Sequence, residues 1–126
     1  MLGRSDFHYR HEGILYGHKP GPGRIGRGAR GWHAGNAEDS VFEVPRPRAS
    51  REHPTAKPAE LLARFVRNSS PRGGLVLDPF AGSGSTLAAS ESLGRRARLL
   101  ELDPSYADVI VARFERLTGG RAELVR

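Results

Sequence analysis

Four residues have the types and spacing to do chemistry together: Asp78, Gly82, Gly84 and Glu101. Asp78-Pro79-Phe80-Ala81-Gly82-Ser83-Gly84 follows the apolar run Leu75-Val76-Leu77 and precedes a helical pattern. A strand that enters a glycine-rich turn and then a helix puts backbone amides at a helix N-terminus, with no Cβ to keep a ligand away. Glu101 lies 23 positions after Asp78, near the spacing at which a second-strand acid reaches the hydroxyls of a bound ribose. The arrangement suits a nucleoside ligand. The same two glycines would also serve a tight turn alone.

The neighbouring residues separate the nucleoside ligands that could compete. A phosphate-binding P-loop needs Lys before its Ser or Thr, whereas Gly84 is followed directly by Ser85-Thr86. A dinucleotide fingerprint needs a third glycine where Leu87 stands, and Asp78 in front of the turn would repel a pyrophosphate. A ligand with no phosphate and a cationic ammonium would instead welcome Asp78, and S-adenosylmethionine has that charge pattern.

The elements that must position these residues follow from periodicity and punctuation. Leu61, Leu62, Phe65 and Val66 fall on one helical face, which predicts a helix over 58–68, opened by Pro58 at its first position and stopped near Asn68-Ser69-Ser70-Pro71. Leu75-Val76-Leu77 reads as a strand buried on both faces. Residues 85–93 read as a helix ended by Gly94, and 98–102 as a second strand. Asp103 caps a last helix with Pro104 in its first turn. Its Tyr106, Val109, Ile110, Phe114 and Leu117 should face a core until Gly119-Gly120. Ahead of all this, Ile14-Leu15-Tyr16 and Val41 to Val44 are predicted as short strands.

The 126 residues carry a formal charge of +6, and Arg outnumbers Lys 18 to 2. Arginine favours planar, bidentate contacts to phosphates and base edges, which points to nucleic acid; a solvated basic surface would have the same composition. Residues 18–35 are glycine-rich and basic, and Arg24, Arg27 and Arg30 recur every three residues with Trp32 nearby. Those four are candidate DNA contacts, or the segment is a basic linker. The absence of Cys excludes disulfides and thiol chemistry. His8 and His11, three apart without a helix beneath them, make no metal site, so no metal is expected. No apolar run approaches the roughly 18 residues of a membrane span. The expectation is a cytoplasmic protein without a membrane partner.

Three stretches resemble one family. Val76-Leu77-Asp78-Pro79-Phe80-Ala81-Gly82-Ser83-Gly84-Ser85-Thr86 is similar to the cofactor-binding motif of the DNA amino-methyltransferases, which methylate the exocyclic amine of adenine or cytosine. His53-Pro54-Thr55-Ala56-Lys57-Pro58 resembles their motif ahead of the helix that covers the methionine end of the cofactor. Glu101-Leu102-Asp103-Pro104-Ser105-Tyr106 resembles their second-strand motif. The order matches the permuted, beta-class arrangement, in which the catalytic half precedes the cofactor half. His11 to Gly17 also looks like a hairpin strand of these enzymes. The resemblance implies an α/β, partial Rossmann-like fold of parallel strands with flanking helices, S-adenosylmethionine as cofactor, and DNA as partner. It places Thr55, Lys57, Asp78, Pro79, Phe80, Gly82, Ser83, Gly84, Thr86, Glu101 and Leu102 at the cofactor. Within that set Asp78 meets the methionine ammonium and Glu101 the ribose. Phe80 either walls the pocket or is core, and Asp103 is a helix cap.

The catalytic tetrapeptide of the family, an Asp/Asn/Ser-Pro-Pro-aromatic run that holds a flipped base, has no counterpart, because no Pro-Pro pair occurs in the sequence. The resemblance therefore implies residues 1–52 as an irregular basic remnant of the hairpin and target-recognition region, and residues 53–126 as the cofactor-binding α/β unit. The catalytic half would come from before Met1, from a second chain, or from neither if the chain is a binding module; a homodimer is the other association expected. Two parallel strands with open edges and uncovered apolar faces should be marginally stable alone.

Overall fold

The computed structural model describes residues 11–17, 32–35, 37–45 and 57–125. Five elements run along the chain: α1 (Ala59–Ser69), β1 (Leu75–Asp78), α2 (Ser85–Ser92), β2 (Arg96–Leu99) and α3 (Pro104–Thr118). This is the expected α/β order. β1 and β2 pair in parallel, with Leu75 beside Arg96 and Asp78 beside Leu99. A parallel pair needs a crossover connection, and α2 supplies it.

Local chemistry fixes the ends of these elements. α1 begins one residue later than expected because Pro58 occupies its N-cap. At the other end Ser70 is extended, as a residue preceding proline is driven to be, and Pro71 follows it. α2 closes in a Schellman motif: Arg95 N–H donates to Ser90 O (2.8 Å) and Gly94 N–H to Glu91 O (3.0 Å), with Gly94 at φ +67°. The Asp103 side chain accepts from Ser105 N–H at 2.8 Å, which makes it the expected cap of α3, and Gly119 ends that helix in the left-handed region.

The second strand is offset from its expected span. It covers Arg96 to Leu99 rather than 98–102, since Arg96 N–H pairs with Gly74 O and Leu100 N–H with Asp78 O. Beyond Leu100 the chain has passed the end of β1 and has no ladder partner. The predicted strands at Ile14–Tyr16 and Val41–Val44 are irregular backbone with no neighbour to pair with among the described residues.

The core is small, made of Val66, Ala81, Ala89 and Ile110, with Ser83, Ser85 and Ser90 buried among them. α2 packs on β2, α1 and α3. β1 is not buried on both faces as its apolar run implied: Leu75 and Leu77 are 56% and 67% exposed. On α3, Ile110 is buried and Tyr106 and Phe114 are half-buried, whereas Val109 and Leu117, also expected inside, are exposed. Among the described residues no element lies against that flank.

The segment before α1 is irregular yet anchored. His33 N–H donates to Asn68 O at 2.7 Å, and the Phe42 ring meets Phe65 edge-on at 5.3 Å between centroids. The Arg64 guanidinium lies 4.6 Å from the Phe42 centroid and pairs with Glu38 at 2.7 Å. Arg64, together with a hydrogen bond from Asn68, holds the Glu38 carboxyl below its ordinary pKa.

Candidate functional site

The C-terminal ends of β1 and β2 lie side by side, and the turn between β1 and α2 crosses them. This is where ligands bind in open parallel sheets. Gly82 and Gly84 both have positive φ, +53° and +75°, so both positions favour glycine on backbone grounds. Their surroundings differ. A Cβ on Gly82 would meet nothing within 4 Å, whereas one on Gly84 would lie 3.0 Å from the Ile110 side chain. Gly84 lets the turn sit down on α3. Gly82 leaves open space above it.

Asp78 and Glu101 brace the turn from opposite sides. Asp78 accepts from Phe80 N–H through Oδ1 at 3.0 Å and from the Thr86 hydroxyl through Oδ2 at 2.6 Å. Two of its roughly four acceptor positions are thus taken, and the others can meet a cation. Glu101 crosses from the end of β2: its Oε2 accepts from Gly82 N–H at 2.6 Å, and its Oε1 from Leu102 and Asp103 N–H at 2.9 and 3.0 Å. The amide of Asp103 and then that of Gly82 hold the Glu101 carboxyl below its ordinary pKa. It is a charged acceptor fixed beside the glycine turn. Ala81 N–H bonds Leu100 O at 3.0 Å, a further tie between turn and strand.

Apolar surface flanks these groups. Phe80 is 88% exposed and Leu102 is 98% exposed. Phe80 is therefore not a core residue. Ser83 is buried under the turn, and its hydroxyl lies 3.4 Å from that of Ser85. The site thus combines an open glycine turn, two carboxylates and exposed apolar side chains in adjoining segments.

A protein-family model described as DNA methylase matches residues 25–112, which include every element up to α3. The chain belongs to the DNA methylase family. The Type II methyltransferase M2.DpnII of Streptococcus pneumoniae is 39% identical over 64 residues, spanning 51% of this chain and 24% of the relative. DNA adenine methyltransferase YhdJ of Escherichia coli (strain K12) is 38% identical over 80 residues, 60% of this chain and 27% of that one. Among solved structures, the putative DNA modification methylase TTHA0409 of Thermus thermophilus, complexed with S-adenosyl-L-methionine, superposes with a TM-score of 0.50. Its identity is 47%, over 55% of this chain and 29% of that one. The chain spans about a quarter of the length of the curated relatives it matches.

In this member of the family the structure gathers Asp78, Pro79, Phe80, Gly82, Ser83, Gly84, Thr86, Glu101 and Leu102 into the turn and the adjoining strand ends. Lys57 is occupied elsewhere, in an exposed pair with Glu12 at 2.7 Å; such a pair contributes little. Trp32 is half-buried, edge-on to Tyr16 at 6.0 Å, with its Nε1–H donating to Gly35 O at 3.3 Å. Thr55, Arg24, Arg27 and Arg30 lie outside the described residues, as does the boundary expected between 52 and 53. Among the described residues no group of acidic or His side chains could hold a metal, and no helix is long and apolar enough to cross a membrane.

One contributor escaped the sequence reading. Arg113 reaches from α3 to the turn, donating through Nη1 to Ser83 O at 3.1 Å and Ser85 Oγ at 3.3 Å. Its signal was available, since Arg113 sits three positions after the buried Ile110 and shares its helical face.

Proposed function

We propose that this chain provides the S-adenosylmethionine-binding part of a DNA methyltransferase that modifies the exocyclic amine of adenine or cytosine. The observation that carries the reading is the Glu101 carboxylate, fixed next to a glycine turn with open space above Gly82. The residues present fit the cofactor. Glu101, with one acceptor position left beside its three amide bonds, accepts from a ribose hydroxyl, the free acceptor positions of Asp78 suit the methionine ammonium, and exposed Phe80 and Leu102 offer apolar surface to a purine. Gly82, Ser83 and Gly84 let the ligand approach the backbone, while Pro79 and Thr86 fix the turn and the Asp78 rotamer. Thr55 and Lys57 belong to the motif assigned to the carboxylate end.

Bound S-adenosylmethionine supplies an electrophilic methyl group on a sulfonium. The chain's own part is to hold and orient that group and to keep carboxylates rather than water around its polar ends. No Pro-Pro pair occurs in the sequence, so the groups that accept the amine protons come from outside it, either from a second chain or from further sequence of the same protein. The working division is an irregular basic segment over 1–52 and a cofactor unit over 53–126. The place of action is the cytoplasm, where DNA and cofactor meet.

Isothermal titration of the purified chain with S-adenosylmethionine tests the assignment. Asp78→Ala and Glu101→Ala should each weaken binding by about ten- to a hundred-fold, the scale of a lost hydrogen bond to a charged group. If the parent chain binds and both variants bind equally well, the residue assignment is wrong. The net charge of +6, carried by 18 arginines, favours a second reading as an Arg-rich nucleic-acid-binding module. That reading requires salt-dependent DNA binding indifferent to the cofactor, with Arg24, Arg27, Arg30 and Trp32 as contacts. Methyl transfer by the chain would sink it.

A further inference from the structure

The glycine turn is gripped at two nearby peptide groups, Ala81–Gly82 and Ser83–Gly84, by charges of opposite sign. On one side the Glu101 carboxylate takes the Gly82 N–H at 2.6 Å. On the other the Arg113 guanidinium takes the Ser83 C=O at 3.1 Å and the Ser85 hydroxyl at 3.3 Å. The two grips come from different elements, the end of β2 and the third turn of α3. Each satisfies a polar group that the other cannot: an ionised carboxylate can only accept and so serves the N–H, and a guanidinium can only donate and so serves the C=O.

Ser83 and Ser85 are buried beneath the turn and their hydroxyls lie 3.4 Å apart, so the Ser83 carbonyl has little access to water. Left without a donor it would be a buried unsatisfied acceptor, and the peptide would turn to find one. That rotation would carry the amide of Gly84 with it and break its bond to Ala81 O at 2.9 Å, since the Ser83 carbonyl and the Gly84 N–H belong to the same planar unit. Ile110, one helical turn before Arg113, limits the movement from below, because its side chain would stand 3.0 Å from a Cβ at Gly84.

We propose that Arg113 is a positioning residue for the cofactor turn: it touches no ligand but sets the orientation of the Ser83–Gly84 peptide, and through it the shape of the surface that receives the cofactor. The proposal rests on the cofactor reading of the site. Glu101 grips the turn from the ligand side and Arg113 from the core side, so loss of Arg113 leaves every ligand-contacting side chain in place.

The test compares the parent chain with Arg113→Met, which keeps an unbranched apolar stem, and Arg113→Lys, which keeps the charge but loses the planar fork. S-adenosylmethionine affinity is read by titration calorimetry, the folded fraction by urea denaturation, and the turn itself by amide resonances of glycine-labelled protein. Met should weaken binding about tenfold in the absence of urea, where the chain remains folded, and should shift the Gly82 and Gly84 amides while leaving those of Gly73 and Gly119 in place. Lys should fall between Met and the parent. Ser85→Ala, which removes one acceptor and keeps the Ser83 carbonyl, should weaken binding less than Met and serves if the Met variant does not fold. Equal affinity in a folded Met or Lys variant, or an affinity loss accounted for by the folded fraction alone, overturns the role of Arg113. Absence of binding by the parent chain overturns the cofactor reading itself, a result that cannot be mistaken for the first.

Discussion

The two faces of the β1–β2 sheet are made of the same strands and have opposite fates. Val76, Asp78, Ala97 and Leu99 point to the face that α2 packs against and are half-buried. Leu75, Leu77, Arg96 and Arg98 point the other way and are exposed. The alternation comes from the pleat, which sends successive side chains to opposite faces. Parallel sheets are ordinarily covered on both sides, so the bare face is the part of the architecture for which the described residues offer no layer. The candidate site was nevertheless built, because the turn draws its supports from the covered side alone. Ile110 and Arg113 lie beneath it, and Glu101 lies beside it.

If the covered side carries the site, damage there should be severe and damage on the bare side slight. The largest effect is expected at Gly84. Alanine there combines a positive φ with a Cβ at 3.0 Å from Ile110, and overpacking plus backbone strain should lower stability by about 2–4 kcal/mol. Gly82→Ala, with the same sign of φ but open space around it, should cost about 1–2 kcal/mol. A urea melt of both variants reads the difference, and equal losses would mean that α3 does not support the turn. Val76→Ala, on the covered face, should cost about 1 kcal/mol.

Acid should reveal a smaller contribution. The folded Glu101 carboxyl titrates below its ordinary value of 4.5, held down by the amides of Asp103 and Gly82. A lowered folded pKa means that its stabilisation is complete above about pH 4.5 and is lost as pH falls through the folded value. Glu38 shifts in the same direction through Arg64 and Asn68. Melting curves between pH 6 and pH 3 should therefore flatten in part with Glu101→Gln and further with Glu38→Gln added; parallel curves for all three proteins would dismiss the carboxylate grip. The smallest effect belongs to the bare face, where Leu75→Thr and Leu77→Thr should each change the stability of the chain by no more than about 0.5 kcal/mol. A larger loss would place a covering element on that face.

The helices and the turn were legible in the sequence because their signals are local. Asp103-Pro104 announces a cap and a first turn, Gly94 and Gly119 announce stops, and the glycine pair between a strand and a helix announces the turn. β2 was misplaced because its limits are set by pairing: residues 99–102 look more strand-like than Arg96-Ala97, but only Arg96 to Leu99 lie opposite β1. Ile14–Tyr16 and Val41–Val44 have strand composition without a strand to join among the described residues. Val109 and Leu117 fit an amphipathic period, but burial needs a second surface as well as a face. For Arg113 the helical face shared with Ile110 was legible but its partners were not, since its acceptors lie 28 and 30 positions away in the chain.

The register that sets Leu75 beside Arg96 and Leu77 beside Arg98 also governs how the molecule behaves when crowded. A short strand with an unpaired edge is a template for adding another strand, and charged side chains are the usual protection against it. β2 carries two arginines on its open face, which repel copies of themselves. β1 carries two leucines there, and among the described residues its outer edge has no neighbour. Self-association of this chain should therefore start along β1, and a charged gatekeeper at position 75 or 77 is the change that would keep it dispersed.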